Sequence, residues 1–356
     1  MKAKNHLARM TDHKKIQKHV VLLLMLVFLT GLILLSFVLG RYEISVLQVV
    51  RILIDDILKK LSGGRLYLSQ TWTEQMQVAV LNIRLPRILM AGLVGCCLAA
   101  AGASYQGVFQ NPMAAPDILG ASSGAAFGAA LAILLGASSG GIMLSAFCTS
   151  LLTVGIVFFI GSRAPGLRVV NLILAGIMIS SLFTAGTSYI KLVADPTNQL
   201  PAITYWLMGS LSGTKMNDVL RVFLPMCIGC LILMLIRWRI NLLTLGDEEA
   251  HALGIHTDRL RFLIIIAATL VTAASIAASG MIGWVGLVIP HLCRKLVGSN
   301  YKWLMPASML MGAAFLLLVD NISRNLLAVE IPIGILTSFV GAPFFIYLIL
   351  KQETTL

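Results

Sequence analysis

The sequence predicts an all-α integral membrane protein with about ten transmembrane helices, and three observations carry that prediction. Hydrophobic residues make up 58% of the 356 residues and charged ones only 12%. The mean hydropathy is +0.90, a level that no water-soluble core requires. The apolar residues also gather into runs close to the ~20 residues that a helix needs to cross a hydrocarbon core, where lipid offers the backbone no hydrogen-bond partner.

Taken in order, the runs lie at 20–40, 88–106, 118–137, 141–161, 169–190, 219–236, 262–279, 281–296, 303–319 and 331–350. The first follows a basic segment but is longer than the apolar core of a signal peptide, and no small-residue cleavage pattern follows it. It therefore reads as an uncleaved span. Most of the 27 lysines and arginines, including Lys2, Lys4, Lys14, Lys15, Lys18, Arg237, Arg239, Arg259 and Arg261, fall on one side of the membrane if both termini are cytoplasmic. The expected organisation is a single domain over residues 1–356. It has a basic cytoplasmic segment at 1–19, an external loop at 41–87 and a cytoplasmic loop at 241–261. Within the external loop, "ISVLQVVRILIDDILKKL" has the composition of a helix lying along the membrane surface.

The net charge of +12 does not point to nucleic acid. No aromatic-interleaved basic domain is present, and anionic lipid at the inner leaflet accounts for the cytoplasmic cations. The six cysteines sit mostly inside apolar runs. Cys227 and Cys230 form a C-x-x-C without a second such pair, so they read as small hydrophobes in a packed helix.

Residues 111–128, "NPMAAPDILGASSGAAFG", break the apolar pattern. Pro112 and Pro116 stop the preceding helix, and Asp117 is placed to cap the next one. From there Gly120, Gly124, Gly128, Ala132 and Gly136 recur at every fourth position, which puts them on one helix face and admits a neighbouring helix at close range. The same stretch contains G-x-S-x-G, which raises an intramembrane hydrolase with Ser122 as nucleophile and His291 as base. That chemistry requires a strand-to-helix turn, which an all-α chain lacks.

In the loop 241–261, "NLLTLGDEEAHALGIHTDRLR", Asp247 is placed to cap a short helix with Glu248 and Glu249 in its first turn. Ala250, Ala252 and Leu253 form a small apolar surface, and Gly254 ends the helix. A short capped helix projecting from a membrane domain reads either as a docking element or as a solvated loop helix. The chain contains no G-x-x-x-x-G-K-[ST] phosphate loop, so any ATP hydrolysis belongs to a partner.

Six blocks, in order, resemble the permease subunits of binding-protein-dependent ABC importers for iron-siderophores, haem and cobalamin, the FecCD family. They are "RLPRILMAGLVG" (84–95), "GASYQGVFQNPMAAPDILGASSGA" (102–125), "WLMGSLSG" (206–213), "LGDEEAHALGI" (245–255), "GMIGWVGLVIPHLCRKLVG" (280–298) and "EIPIGILTSFVGAPFFIYLI" (330–349). The resemblance implies a cobalamin-importer-permease-like fold of ten spans, in the multi-pass setting of a bacterial cytoplasmic membrane. It implies a second permease subunit, identical or closely related, two cytoplasmic ABC ATPase subunits and an extracytoplasmic substrate-binding protein. The implied cargo is a ferric siderophore, with haem or cobalamin as alternatives. No enzymatic activity, cofactor or metal site belongs to this chain.

Site roles follow from the same resemblance. Gly246, Asp247, Glu248, Glu249, Ala250, Leu253 and Gly254 match the element that couples to the ATPase. Arg84, Arg87 and Arg324 match arginines that face acidic groups of the binding protein. Asp320, one helical turn from Arg324, is an alternative partner within the chain. Asn111 and Met113 match the cytoplasmic gate, where the family often has leucine at the Met113 position, and Gly120, Gly124 and Gly128 pack the spans. A secondary transporter is the competing class, but it requires a membrane-embedded acid, and apart from Asp320 the spans hold almost none.

Overall fold

The computed structural model describes residues 2–40, 42–63, 65, 68–165 and 167–352. The side chains of residues 2–15, Arg168, Asp247, Leu348, Ile349, Lys351 and Gln352 lie outside that description. The cap expected from the Asp247 carboxylate and most of the basic cluster at the N-terminus therefore fall outside it.

Every predicted span overlaps a helix. In chain order the helices are α1 (Lys2–Val38), α2 (Val46–Ser62), α3 (Glu74–Val78), a π-helical turn (Ala79–Arg84), α4 (Leu85–Val108), α5 (Ala121–Leu134), α6 (Ser139–Arg163) and α7 (Arg168–Val193). There follow α8 (Gln199–Leu207), α9 (Met216–Leu243), α10 (Asp247–Ala252), α11 (Thr257–Ser279), α12 (Val285–Val297), α13 (Tyr301–Asn325) and α14 (Ile333–Gln352). Among the described residues, 7 helices are long and apolar enough to cross a membrane. The predicted spans at 118–137 and 331–350 fall on the shorter apolar helices α5 and α14, and that at 281–296 falls on the 13-residue α12. Backbone geometry sets the lengths of α5 and α12. α5 is bounded by Gly120 (φ 77°) and Gly136 (φ 70°), and α12 starts only after Trp284, a non-glycine residue at φ 70°.

α4 is the axis of the molecule. It is buried along most of its length and packs against α13, α11, α9 and α12. Small residues permit this, because lipid supplies no hydrophobic drive between helices and close packing must supply the attraction. At Gly102 an added Cβ would strike the Gly286 carbonyl of α12, and at Gly95 it would strike Gly312 of α13. Some buried hydroxyls pair across helices within the core, as in the 2.9 Å bond between Tyr105 and Thr269. The outer helices show the opposite pattern. α1 and α7 expose Leu23, Leu24, Val27, Leu174, Ile177 and Leu182, a surface stable only against lipid or another apolar surface.

α2 is amphipathic, as its sequence predicts. Ser45 and Gln48 form a capping box at its start, and Gly63 at φ 60° closes its end. Val49 and Ile52 face the protein, whereas Leu47, Val50, Ile54, Ile57 and Leu61, spaced by three and four residues, are exposed. Asp55 is 2% exposed and takes hydrogen bonds from the Leu68 N–H at 2.8 Å and an ion pair from Lys59 at 2.6 Å. Burial opposes ionisation of its carboxyl. The bonds from Lys59 and Leu68 and the Lys59 charge outweigh that and hold it below the ordinary carboxylate range.

Candidate functional site

The residues singled out in the sequence gather at two opposite ends of the helical bundle. At one end the π-helical turn leads into α4 with Pro86 in its first turn, and it sets Arg84 and Arg87 on different neighbours. Arg84 is 4% exposed and donates to the carbonyls of Phe37 and Tyr42, where α1 terminates and its last carbonyls lack helical partners. Arg87 is 5% exposed, and its Nε donates to Asp320 Oδ1 at 2.9 Å. Its Nη1 lies 2.9 Å from each oxygen of Glu330. On the far side of Asp320, Arg324 Nε stands 3.3 Å from Oδ2, and its Nη2 donates to Asn321 and the Ser36 carbonyl. The pairing of Asp320 with Arg324 that their spacing allowed is present.

Arg87 and Arg324 are thus brought together around one buried carboxylate, and Arg84 turns instead to the carbonyls at the end of α1. All three guanidiniums are engaged by the chain's own groups, so none is presented openly to a protein arriving from outside. Glu330 was given no role from the sequence. The only signal was an acid six residues beyond Arg324 in "RNLLAVEIP".

At the other end, the turn between α4 and α5 carries the residues matched to a gate. Asn111 is exposed and its Oδ1 accepts from the Met113 N–H at 2.8 Å, while Met113 itself is 48% exposed. Asp117 Oδ1 accepts from the Ser122 N–H at 3.0 Å, closing the first turn of α5 where Gly120 has no side chain to offer. Gln110, at φ 49°, donates to the Leu243 carbonyl at 2.6 Å. That bond ties the turn to the last residue of α9, just before α10, and no sequence pattern announced it.

α10 is a single short helix. Gly246, at φ 121°, precedes it, and an added Cβ there would meet the Glu249 carboxylate. Gly254, at φ 79°, follows it and donates to the His251 carbonyl at 2.9 Å. Glu248, Glu249, His251, Ala252 and Leu253 are exposed, and Leu253 is 61% so. Ala250 departs from the expected outer face. It is 0% exposed, with Ile255 folded back onto its carbonyl at 3.1 Å, so it anchors the helix instead of presenting it.

Gly124 and Gly128 sit against α6, where a Cβ would strike the hydroxyls of Thr153 and Thr149, and Gly120 lies under Ser180 of α7. Ser122 and His291 belong to α5 and α12, and among the described residues no hydrogen bond joins them and no strand is present to form a nucleophile elbow. Cavities interrupt the bundle beside these residues. One of about 260 Å³ lies between Asp117, Ser122, Thr272 and Trp284. Another, of about 400 Å³, lies beneath α8 between Trp206, Ser210, Met143 and Gly280.

Comparison with known proteins fits this geometry. Residues 24–351 match the model of the FecCD transport family. The molybdate import permease MolB of Haemophilus influenzae is 41% identical over 93% of this chain and 95% of its own length. The cobalamin import permease BtuC of Halobacterium salinarum is 40% identical, covering 79% of this chain and 75% of its own. The hemin transport permease HmuU of Yersinia pestis is also 40% identical, over 77% and 83% respectively. Among solved structures, an inward-facing metal-chelate type ABC transporter superposes with a TM-score of 0.82 at 38% identity, covering 93% of this chain and 99% of the other. The chain therefore belongs to the FecCD transport family: it is a multi-pass permease subunit of an ABC importer, a transport protein and not an enzyme, and it works with partner permease and ATPase subunits.

Proposed function

We propose that two such subunits, identical or closely related, enclose the path by which an iron complex, a ferric siderophore, is imported across the bacterial cytoplasmic membrane. In this reading α5, α12 and α14 complete ten spans with the seven longer helices, and both termini are cytoplasmic, as the lysine and arginine bias supports. α2 lies along the outer membrane surface with its exposed apolar stripe against lipid. ATP is bound and hydrolysed by two separate cytoplasmic subunits.

The observation that carries the proposal is α10, a short, glycine-bounded, exposed helix at the end of α9 in a chain without a phosphate loop of its own. Glu248, Glu249 and Leu253 form the face that enters the ATPase subunit, and Ala250 fixes the helix to the bundle. The Gln110 to Leu243 bond then passes movement of α10 to the turn carrying Asn111 and Met113, which narrow the cytoplasmic end of the path. Arg84, Arg87 and Arg324 mark the external end as the docking side for the acidic surface of a substrate-binding protein.

Molybdate is the second reading of the cargo, favoured by the 41% identity that extends over almost the whole of both chains. Haem and cobalamin are represented among relatives at 40% identity over a smaller share of this chain. The test is ATPase activity of the reconstituted complex with the binding protein loaded in turn with ferric siderophore, molybdate, haem or cobalamin. Stimulation by the ferric siderophore alone supports the first reading, and stimulation by molybdate alone replaces it with the second. Failure of the chain to recruit any ATPase removes the importer mechanism from both.

A further inference from the structure

The external arginines present a conflict: the proposed function needs them for a partner, yet the chain occupies them itself. We propose that Glu330 is a resident carboxylate that holds Arg87 in reserve, and that an acidic side chain of the binding protein displaces it on docking. This rests on the docking reading above and adds the exchange step that the geometry requires.

Exposure singles out Glu330. Within the network the side chains of Arg87 and Asp320 are 6% and 1% exposed, whereas that of Glu330 is 30% exposed. Asp320 lies beneath the guanidinium, while Glu330 covers it from the solvent side, so an incoming acid meets Glu330 first. Arg87 also retains unused donor capacity, because its Nη2 is buried and has no hydrogen-bond partner.

Charge explains why exchange is easier than removal. Two guanidiniums, Arg87 and Arg324, pair with two carboxylates, Asp320 and Glu330. Taking Glu330 away and leaving nothing in its place would strand a buried cation beside another. Replacing it with another carboxylate restores the same balance and the same planar two-oxygen contact. The site therefore favours an acidic protein surface able to present one projecting carboxylate.

Glu330 is also placed to report its displacement. It lies in the connection from α13 to α14, whose Leu326, Leu327 and Val329 are 61%, 58% and 78% exposed. Beside Arg87, that connection is held by the bond from the Ser323 hydroxyl to the Ile331 carbonyl at 2.6 Å. Two residues further on, the Ile333 N–H donates to the Gly209 carbonyl at 2.8 Å, and Gly334 packs on the carbonyls of Met208 and Met281. Those turns flank Trp206, Ser210 and Gly280, which line the cavity of about 400 Å³. Release of Glu330 thus loosens the segment that fixes the start of α14 and the wall of that cavity.

The test uses the whole complex in lipid and compares the wild-type chain with Glu330→Gln and Glu330→Asp for affinity toward the binding protein. Glu330→Gln removes the competitor and should bind on the order of ten-fold tighter, because the competent form is no longer diluted by the self-paired one. Its affinity should fall more steeply with salt, while Glu330→Asp, which keeps the charge, should stay close to wild type. Equal or weaker binding by a folded Glu330→Gln complex, with wild-type salt dependence, overturns the exchange while leaving docking intact. Absence of binding by the wild-type complex overturns the docking reading and the exchange with it.

Discussion

The two ends of this molecule are built on opposite principles. The arginine-rich end locks α1, α4, α13 and the connection to α14 together through buried guanidiniums and carboxylates separated by up to 243 residues in sequence. The opposite end carries α10 as an exposed helix attached by Ala250, two glycines at positive φ and a few backbone bonds. One end pairs its polar groups with one another, and the other leaves Glu248 and Glu249 exposed. The difference teaches that a charged residue in a membrane protein signals function through its partners, and that charge at a helix end is by itself ambiguous.

The contrast can be broken most directly at Arg87. Arg87→Ala leaves Glu330 unpaired and weakens the pairing of the buried Asp320, and should cost about 3 kcal/mol. Thermal unfolding of the purified permease would show it as a large drop in midpoint, and an unchanged midpoint would mean the network is ornamental. Next in size is the helix axis itself. Gly102→Val forces a side chain into the Gly286 carbonyl and should cost roughly 2 kcal/mol, or prevent folding, by the same assay.

A smaller effect belongs to α2. The Asp55 carboxyl is held below its unfolded value, so its contribution is complete above the ordinary carboxylate pKa of about 4 and is lost as pH falls through the lower folded value. Hydrogen exchange across residues 46–62 should therefore rise on acidification below about pH 4. In Asp55→Asn it should already be raised at neutral pH, by about 1 kcal/mol of local protection. Flat exchange in both cases would detach Asp55 from the fold of the loop. At the other extreme, Glu249→Lys touches only an exposed position and should change stability by no more than about 0.5 kcal/mol. If it destabilised the permease strongly, α10 would be part of the core and the contrast between the ends would fail.

Much of this architecture was legible in the sequence. The apolar runs located the helices because a lipid environment leaves the backbone little alternative, and the amphipathic spacing of 44–61 and the pattern from Asp247 to Gly254 foretold α2 and α10, although α10 begins at Asp247 with Gly246 as its N-cap. Helix lengths were less legible. α5 and α12 are shortened by left-handed residues, and nothing about Trp284 as a residue type predicts a positive φ. Partners were not legible at all, because Arg87 reaches Asp320 and Glu330 only through the packing of α13 on α4. Gln110 likewise reaches Leu243 only through the tertiary fold. Ala250 shows the limit at small scale, since a six-residue helix has no sequence signal to tell its anchored face from its offered one.

The central claim is that the exposed face of α10 transmits ATP hydrolysis to a path whose external end is held by its own charges. The most direct test is cargo uptake into proteoliposomes by the complete importer carrying Glu249→Lys, measured alongside the thermal midpoint of the same permease. The account predicts a wild-type midpoint with uptake and ATPase retention both lost. Full uptake by that variant, with the ATPase still bound, would contradict it.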